Sequence, residues 1–294
     1  MTPDARDSVF VTCEGMGGPG RPHPLDLQPE LVTTMLVSFL REETASAKMS
    51  RAVLGLSGGI DSAVVAALCA RAFGPENVLA VLLPYRTSSA NSRTDAELVA
   101  RQFSLPTRLV DLSPMADGYL AQERVTDLRR RGNVLARCRM TILYDLSVEW
   151  RGLVIGTSNK SEILLGYSTQ FGDSAHALNP LGDLYKHQVT ELARHLALPR
   201  EVIEKPPSAD LVQGQTDESD LGFTYAEADL LLHRLVDQRA SPAELLAEGC
   251  DPTLLARIRQ KLADNHYKRL PAPIAKLQRR TVGPDFRYLR DWNR

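Results

Sequence analysis

The sequence predicts an α/β fold built on a doubly wound parallel sheet, and three features predict it. Short runs at 52–56, 77–83, 107–112 and 152–155 are apolar on both faces, as strands of a parallel sheet covered by helices must be. Segments of helical character separate these runs. Polar loops follow the first, second and fourth runs, at the carboxyl ends where such sheets bind ligands.

Composition bounds the answer. With 294 residues and 43% apolar content the chain can bury a substantial core. A formal net charge of -1 carries no overall basic excess, so nucleic acid is not an expected partner. Cys13, Cys69, Cys138 and Cys250 are scattered and form no C-x-x-C pair, which fits reduced thiols in a cytoplasmic protein, with Cys69 packed in a helix. No apolar run approaches the roughly 18 to 20 residues of a membrane helix, and the N-terminus has no apolar signal core, so no membrane association is expected.

Residues 1–26, rich in Gly, Pro and Asp, are expected to form a flexible tail, with a single domain over 27–294. Leu31, Met35, Leu36, Phe39 and Leu40 recur at helical spacing ahead of the first strand, a stripe suited to core or to a dimer contact. The first strand runs into Ser57-Gly58-Gly59-Ile60-Asp61-Ser62 and then a small, apolar helix from Ala63 to Cys69. A second strand ends at Pro84 and is followed by a helix over 95–103, a third strand, and a helix over 133–150 that carries Arg137 and Arg139. The fourth strand leads into Gly156-Thr157-Ser158-Asn159-Lys160-Ser161-Glu162. Residues 167–185 lack periodicity and read as an ordered functional loop. Helices are expected over 186–196, 225–238, 242–248 and 252–267, with a polar, turn-rich segment at 205–222. The basic stretch 268–280 reads either as a solvated tail or as a lid over an anionic substrate.

The first loop has the chemistry of an anion site. Adjacent glycines let the backbone approach a ligand, and the free N–H groups of the following helix point at it. The loop has no lysine, which excludes a Walker-type phosphate loop. Asp61 places a carboxylate inside this nest, and a carboxylate beside phosphates implies a metal. In a parallel sheet Thr157 and Glu162 converge on the same edge, and two carboxylates with a hydroxyl suit Mg2+. Glu162 reads equally as a first-turn helix residue favoured by the dipole. Lys186, unfavourable for the dipole at a helix start, reads as facing an anion.

Ser57 to Ser62 resembles the pyrophosphate loop of the ATP pyrophosphatases. Taken with Gly132-Asn133, Ala136-Arg137-Cys138-Arg139-Met140, Gly156-Thr157 with Glu162, Tyr167 to Asp173, Pro207-Ser208-Ala209-Asp210-Leu211 and Asp217-Glu218 before Leu221-Gly222, the run over about 27–290 resembles the ammonia-dependent NAD synthetases. The resemblance implies an adenine nucleotide alpha hydrolase-like sheet with a helical C-terminal part. It implies ATP-dependent amidation of deamido-NAD through an acyl-adenylate, releasing pyrophosphate and AMP.

Carried over by position, Gly55, Leu56, Ser57, Gly58, Gly59, Ile60, Asp61 and Ser62 hold ATP, Thr157, Lys186 and Ser208 contact its phosphates, and Asp61 and Glu162 bind Mg2+. Arg139, Gln170, Asp173, Tyr267 and Lys268 face deamido-NAD. The sequence departs from the family pattern where Gln170 stands for lysine, Ala177 for aspartate and Tyr267 for histidine. Asp173 would accept the proton that ammonium must lose, or else cap its own loop. A homodimer is implied, with the N-terminal helix and the 133–150 helix at its interface. Only 56 residues precede Ser57, so ammonia is expected to arrive free or from a separate ammonia-supplying chain. The rival readings are another ATP pyrophosphatase, GMP-forming or tRNA-modifying, and a non-catalytic nucleotide-binding protein.

Overall fold

The structure, a computed structural model, describes residues 23–208, 216–277, 279 and 281. Its sheet is parallel throughout: β1 (Ala52–Gly55), β2 (Val78–Leu82), β3 (Thr107–Leu109) and β4 (Leu153–Val154) lie in the order β3-β2-β1-β4. The chain moves outward from β1 to β2 to β3 and then returns to the other side of β1, so the strand order reverses between β1 and β4. That reversal opens a crevice at the carboxyl ends of these two strands.

Helices cover both faces. On one lie α1 (Pro29–Ser46), α2 (Ile60–Phe73), α3 (Ala90–Gln102), α7 (Lys186–His195) and α8 (Arg200–Ile203). Ten residues of α2 are buried, because this helix is packed on several sides, and its run of Ala, Val and Leu has no polar face to offer water. On the other face, α4 (Ser113–Gln122) and α5 (Leu128–Trp150) pack Ala116, Leu120, Leu135, Cys138 and Leu146 against Val53, Leu79 and Val81. A third apolar cluster joins α6 (Lys160–Leu165), α10 (Tyr225–Leu232), α11 (Pro242–Ala247) and α12 (Pro252–Asp264) beside the sheet, with α9 (Asp217–Leu221) contributing Leu221.

Several boundaries differ from the sequence reading, each for a local reason. The third strand ends at Leu109 rather than 112, although Val110 and Leu112 still donate to the carbonyls of Leu82 and Pro84; Asp111 then caps Ser113 N–H and turns the chain into α4. The helix expected from 133 starts at Leu128, where the Asp127 carboxylate accepts from Arg130 N–H at 2.7 Å. The helix expected from 95 starts at Ala90 behind the Ser89 hydroxyl cap.

The expected tail over 1–26 is corrected at its end. Residues 1–22 lie outside the described residues, but 23–26 are docked. Leu25 is buried beside Tyr185, its carbonyl accepts from Gln188 Nε2 at 3.0 Å, and the His23 ring stacks on His187 with centroids 4.0 Å apart. Leu25 and Leu27, the two leucines between Pro24 and Pro29, are too few to show a period, so sequence could not mark Leu25 as an anchor.

Candidate active site

The loop after β1 is shaped by its own serines. Ser62 Oγ accepts from Ser57 N–H at 3.2 Å and donates to Gly59 O at 2.9 Å, while Ser57 Oγ accepts from Gly59 N–H at 3.2 Å. The two hydroxyls lie 3.1 Å apart. Both hydroxyls thereby fix the curl of the backbone. Gly58 has φ +81°, and a Cβ there would sit 2.1 Å from the carbonyl oxygen of Ser92. Glycine therefore lets the start of α3 close over the loop. Leu56 is buried and donates its N–H to Val81 O, and Gly55 ends β1.

Asp61 in the first turn of α2, Glu162 in the first turn of α6 and Lys186 at the start of α7 meet over the crevice between β1 and β4. Lys186 Nζ lies 2.5 Å from Asp61 Oδ2 and 3.5 Å from Glu162 Oε1. The other oxygen of Asp61 accepts from Asn159 Nδ2 at 2.9 Å. Asn159 and Glu162 form a capping box that fixes the start of α6. Thus Glu162 is both a first-turn helix residue and a member of the ionic cluster, so the two readings coexist.

Burial, and then repulsion from Asp61, push Glu162 up to about 8, against the pull of Lys186 and the Asn159 N–H. Burial would lower Lys186, but Asp61 and then Glu162 hold it above the ordinary lysine value. Two carboxylates share one ammonium here, and Asp217 adds a further negative charge nearby. The Tyr225 ring lies 5.3 Å from Lys186 Nζ, and its hydroxyl is buried without a hydrogen-bond partner among the described residues. The pocket wall therefore has cation-favouring chemistry.

Behind this cluster lies Asp229, a carboxylate that sequence reasoning passed over. It is 1% exposed, accepts from Ser161 Oγ at 2.5 Å and from His187 N–H at 2.9 Å, and is raised to about 6 by burial against those bonds. One acid on an amphipathic helix carries no distinguishing signal, because its burial is decided by tertiary packing alone.

A second group of predicted residues gathers on the 167–185 loop. Asn133 and Arg137 of α5 hold it through Thr169 Oγ1, at 2.8 Å, and Gln170 O, at 3.2 Å. Asp173 Oδ1 accepts from Thr169 N–H at 2.8 Å, so this carboxylate does cap its loop. Burial raises Asp173, opposed by that N–H and by the charges of Lys268 and Arg139. Arg139 Nε donates to Leu83 O at 3.3 Å. Lys268 Nζ donates to the carbonyls of Gly166 at 2.6 Å and Ser168 at 2.7 Å, and Arg269 to that of Leu164 at 2.7 Å. These two bases cap the end of α6, which corrects the solvated reading for the start of the basic stretch. Tyr267 is exposed beside them.

Thr157, half-buried, follows β4 on the crevice side. Ser208 is exposed at the end of a segment in which Lys205 pairs with Asp95 at 2.7 Å and contacts Ser92 Oγ at 3.2 Å, beside the carbonyl that closes on Gly58. Ala209, Asp210 and Leu211 of the same motif, and the C-terminal residues from 282, lie outside the described residues.

Known proteins share this fold and much of this sequence. The profile of the NAD synthase family matches residues 32–272. The NH(3)-dependent NAD(+) synthetase of Trichlorobacter lovleyi is 52% identical over 270 residues, covering 92% of this chain and 99% of the relative. Among solved structures, the NH3-dependent NAD synthetase of Campylobacter jejuni superposes with a TM-score of 0.74 at 35% identity, covering 85% of this chain and 100% of that one. The NMN synthetase of Francisella tularensis does so with a TM-score of 0.76 at 33% identity, covering 85% and 99%. On fold, site motif and full-length similarity together, this chain belongs to the NAD synthase family.

Proposed function

We propose that the chain makes NAD from deamido-NAD, using ATP and ammonia. The nicotinate carboxylate attacks the α-phosphorus of ATP, the bond to pyrophosphate breaks, and ammonia then displaces AMP from the acyl carbon while losing a proton. The observation that carries this reading is the convergence of Asp61, Glu162 and Lys186 on the loop that follows β1, in a chain 52% identical to an ammonia-dependent synthetase.

The N–H groups of the first α2 turn offer the nucleotide phosphates a cradle that needs no side-chain cation. Lys186 is the cation next to that cradle, held charged by its two carboxylates. The donor set of Asp61 and Glu162 fits Mg2+, because both are hard oxygen ligands and the burial and Asp61 repulsion that raise Glu162 are what a bound cation would offset. When bound, Mg2+ would neutralise charge on the phosphate oxygens as pyrophosphate leaves. Thr157 and Ser208 are assigned to the phosphates, and Arg139, Gln170, Tyr267 and Lys268 to the deamido-NAD side. Asp173, near two positive side chains, is assigned to deprotonating ammonium.

A second reading concerns the acceptor. Gln170, Ala177 and Tyr267 depart from the family pattern on the substrate side, and an NMN synthetase is among the similar structures, which supports testing a mononucleotide beside the dinucleotide. The assay supplies ATP, Mg2+ and ammonium with either deamido-NAD or nicotinate mononucleotide and follows AMP and the amide product. NAD and AMP in equal amounts are expected from the dinucleotide; no amide from it overturns the reading. A homodimer and a cytoplasmic setting complete the proposal; among the described residues no helix is long and apolar enough to cross a membrane.

A further inference from the structure

Glu162 and Lys186 reach the same point from the starts of two different helices, α6 and α7, and a buried carboxylate ties those starts together. Asp229, on α10, takes the Ser161 hydroxyl on one oxygen and the His187 N–H on the other. Ser161 Oγ in turn accepts from Lys186 N–H at 3.0 Å, which closes a ring of bonds through Asp229, Ser161, Lys186 and His187. Ser161 immediately precedes Glu162, and Lys186 immediately precedes His187. The two links through Ser161 are buried, with Ser161 0% and Asp229 1% exposed, so water has no access to replace either bond if it is lost. The negative charge also faces the N-terminal turn of α7, where the helix dipole favours it.

We infer that Asp229 is a positioning residue for adenylation: it sets the relative placement of Lys186 and Glu162 across the crevice without touching the nucleotide. The inference rests on the proposed function, since it takes Lys186 and Glu162 as the groups that serve ATP. Shifts of a few tenths of an ångström between the two would change the charge presented to the phosphates, and such placement decides rate more than ground-state binding.

The test measures single-turnover pyrophosphate release from ATP and deamido-NAD in the wild type, Asp229→Asn, Ser161→Ala, Lys186→Met and the double variant Asp229→Asn/Lys186→Met. Asp229→Asn should lower the rate about 10- to 100-fold, the scale seen for groups that orient a metal or phosphate ligand, with a smaller change in the KM for ATP. Ser161→Ala should lower it less. In the Lys186→Met background Asp229→Asn should lower the rate by less than in the wild type, because the part of its effect that runs through the lysine is gone. A folded Asp229→Asn protein with wild-type rate overturns the inference, as does a full additional loss in the double variant. Should Asp229→Asn fail to fold, Ser161→Ala decides: an unchanged rate overturns the inference and a reduced one supports it. A wild type that releases no pyrophosphate overturns the proposed function and this inference with it, an outcome distinct from an active wild type indifferent to Asp229.

Discussion

Asp61 and Glu162 lie on either side of a single ammonium, so each should tolerate neutralisation structurally while losing its chemistry. Asp61→Asn and Glu162→Gln are expected to abolish adenylation, a loss of several kcal/mol of transition-state stabilisation, with near-native circular dichroism. Wild-type-like pyrophosphate release from either variant would remove the pair from the site. The raised carboxyl of Glu162 also fixes a sign for the unliganded protein. Its folded value, about 8, lies above the ordinary 4.5, so its contribution is fully present below pH 4.5 and is lost as pH rises through 8. Glu162→Gln should therefore flatten the fall in thermal midpoint between pH 4.5 and 8, and an unchanged slope there would contradict that environment. Asp173→Asn separates the two roles its geometry allows. As the base for ammonium it retains pyrophosphate release and loses NAD formation, most severely at lower pH; as a mere cap of Thr169 it loses both steps equally. Gly58→Ala meets the Ser92 carbonyl at 2.1 Å with φ at +81°, and should cost about 1–3 kcal/mol of stability and weaken ATP binding, read by denaturant unfolding and nucleotide titration.

At the level of elements, the docked segment at 23–26 ends in a pair of stacked imidazoles that both resist protonation. His23 is lowered by burial and by the His187 charge, His187 by burial, although Asp26 pulls both upward. Depressed histidines contribute stability that is present above the ordinary value of 6.5 and is lost as pH falls below it toward the folded values. Protection of the His23, Leu25 and Asp26 amides, taken relative to the intrinsic exchange rate at each pH, should fall on acidification from pH 7 to 5, and His187→Gln should abolish that dependence; pH-independent protection would contradict the stack as the latch. The same elements show what a sequence can reveal. Four strands, their parallel sense and the meeting of Asp61 with Glu162 were legible, because apolar runs and glycine loops are local signals. Of α6 only the first-turn place of Glu162 was legible, since six residues span too few turns for a period to show, and α4 was not, having small residues in place of an apolar stripe. Asp229, Ser161 and the capping role of Lys268 depend on segments that lie between 25 and 102 residues apart, and no local pattern encodes such distances.

For the whole molecule, the exposed apolar side chains say where a second copy would sit. Tyr144 and Val148 lie one turn apart on α5, with Val148 78% exposed, and Leu31 and Met35 lie likewise on α1. Both helices were expected at a dimer interface. Val148→Glu combined with Met35→Glu should yield a monomer by sedimentation, and an active wild-type monomer at assay concentration would end the dimer proposal. The reversal of strand order between β1 and β4 also has a consequence for how the protein is born. Asp61 emerges early from a ribosome, its partner Glu162 about a hundred residues later, and Asp229 later still. A nascent chain that has completed the first three strands possesses the glycine loop but neither the lysine nor the second carboxylate that surround it. Such long-range closure is slow to form. On the site assignment proposed above, ATP would meet a competent site only once the chain has been made through α10, so an unfinished molecule would have no means of spending nucleotide.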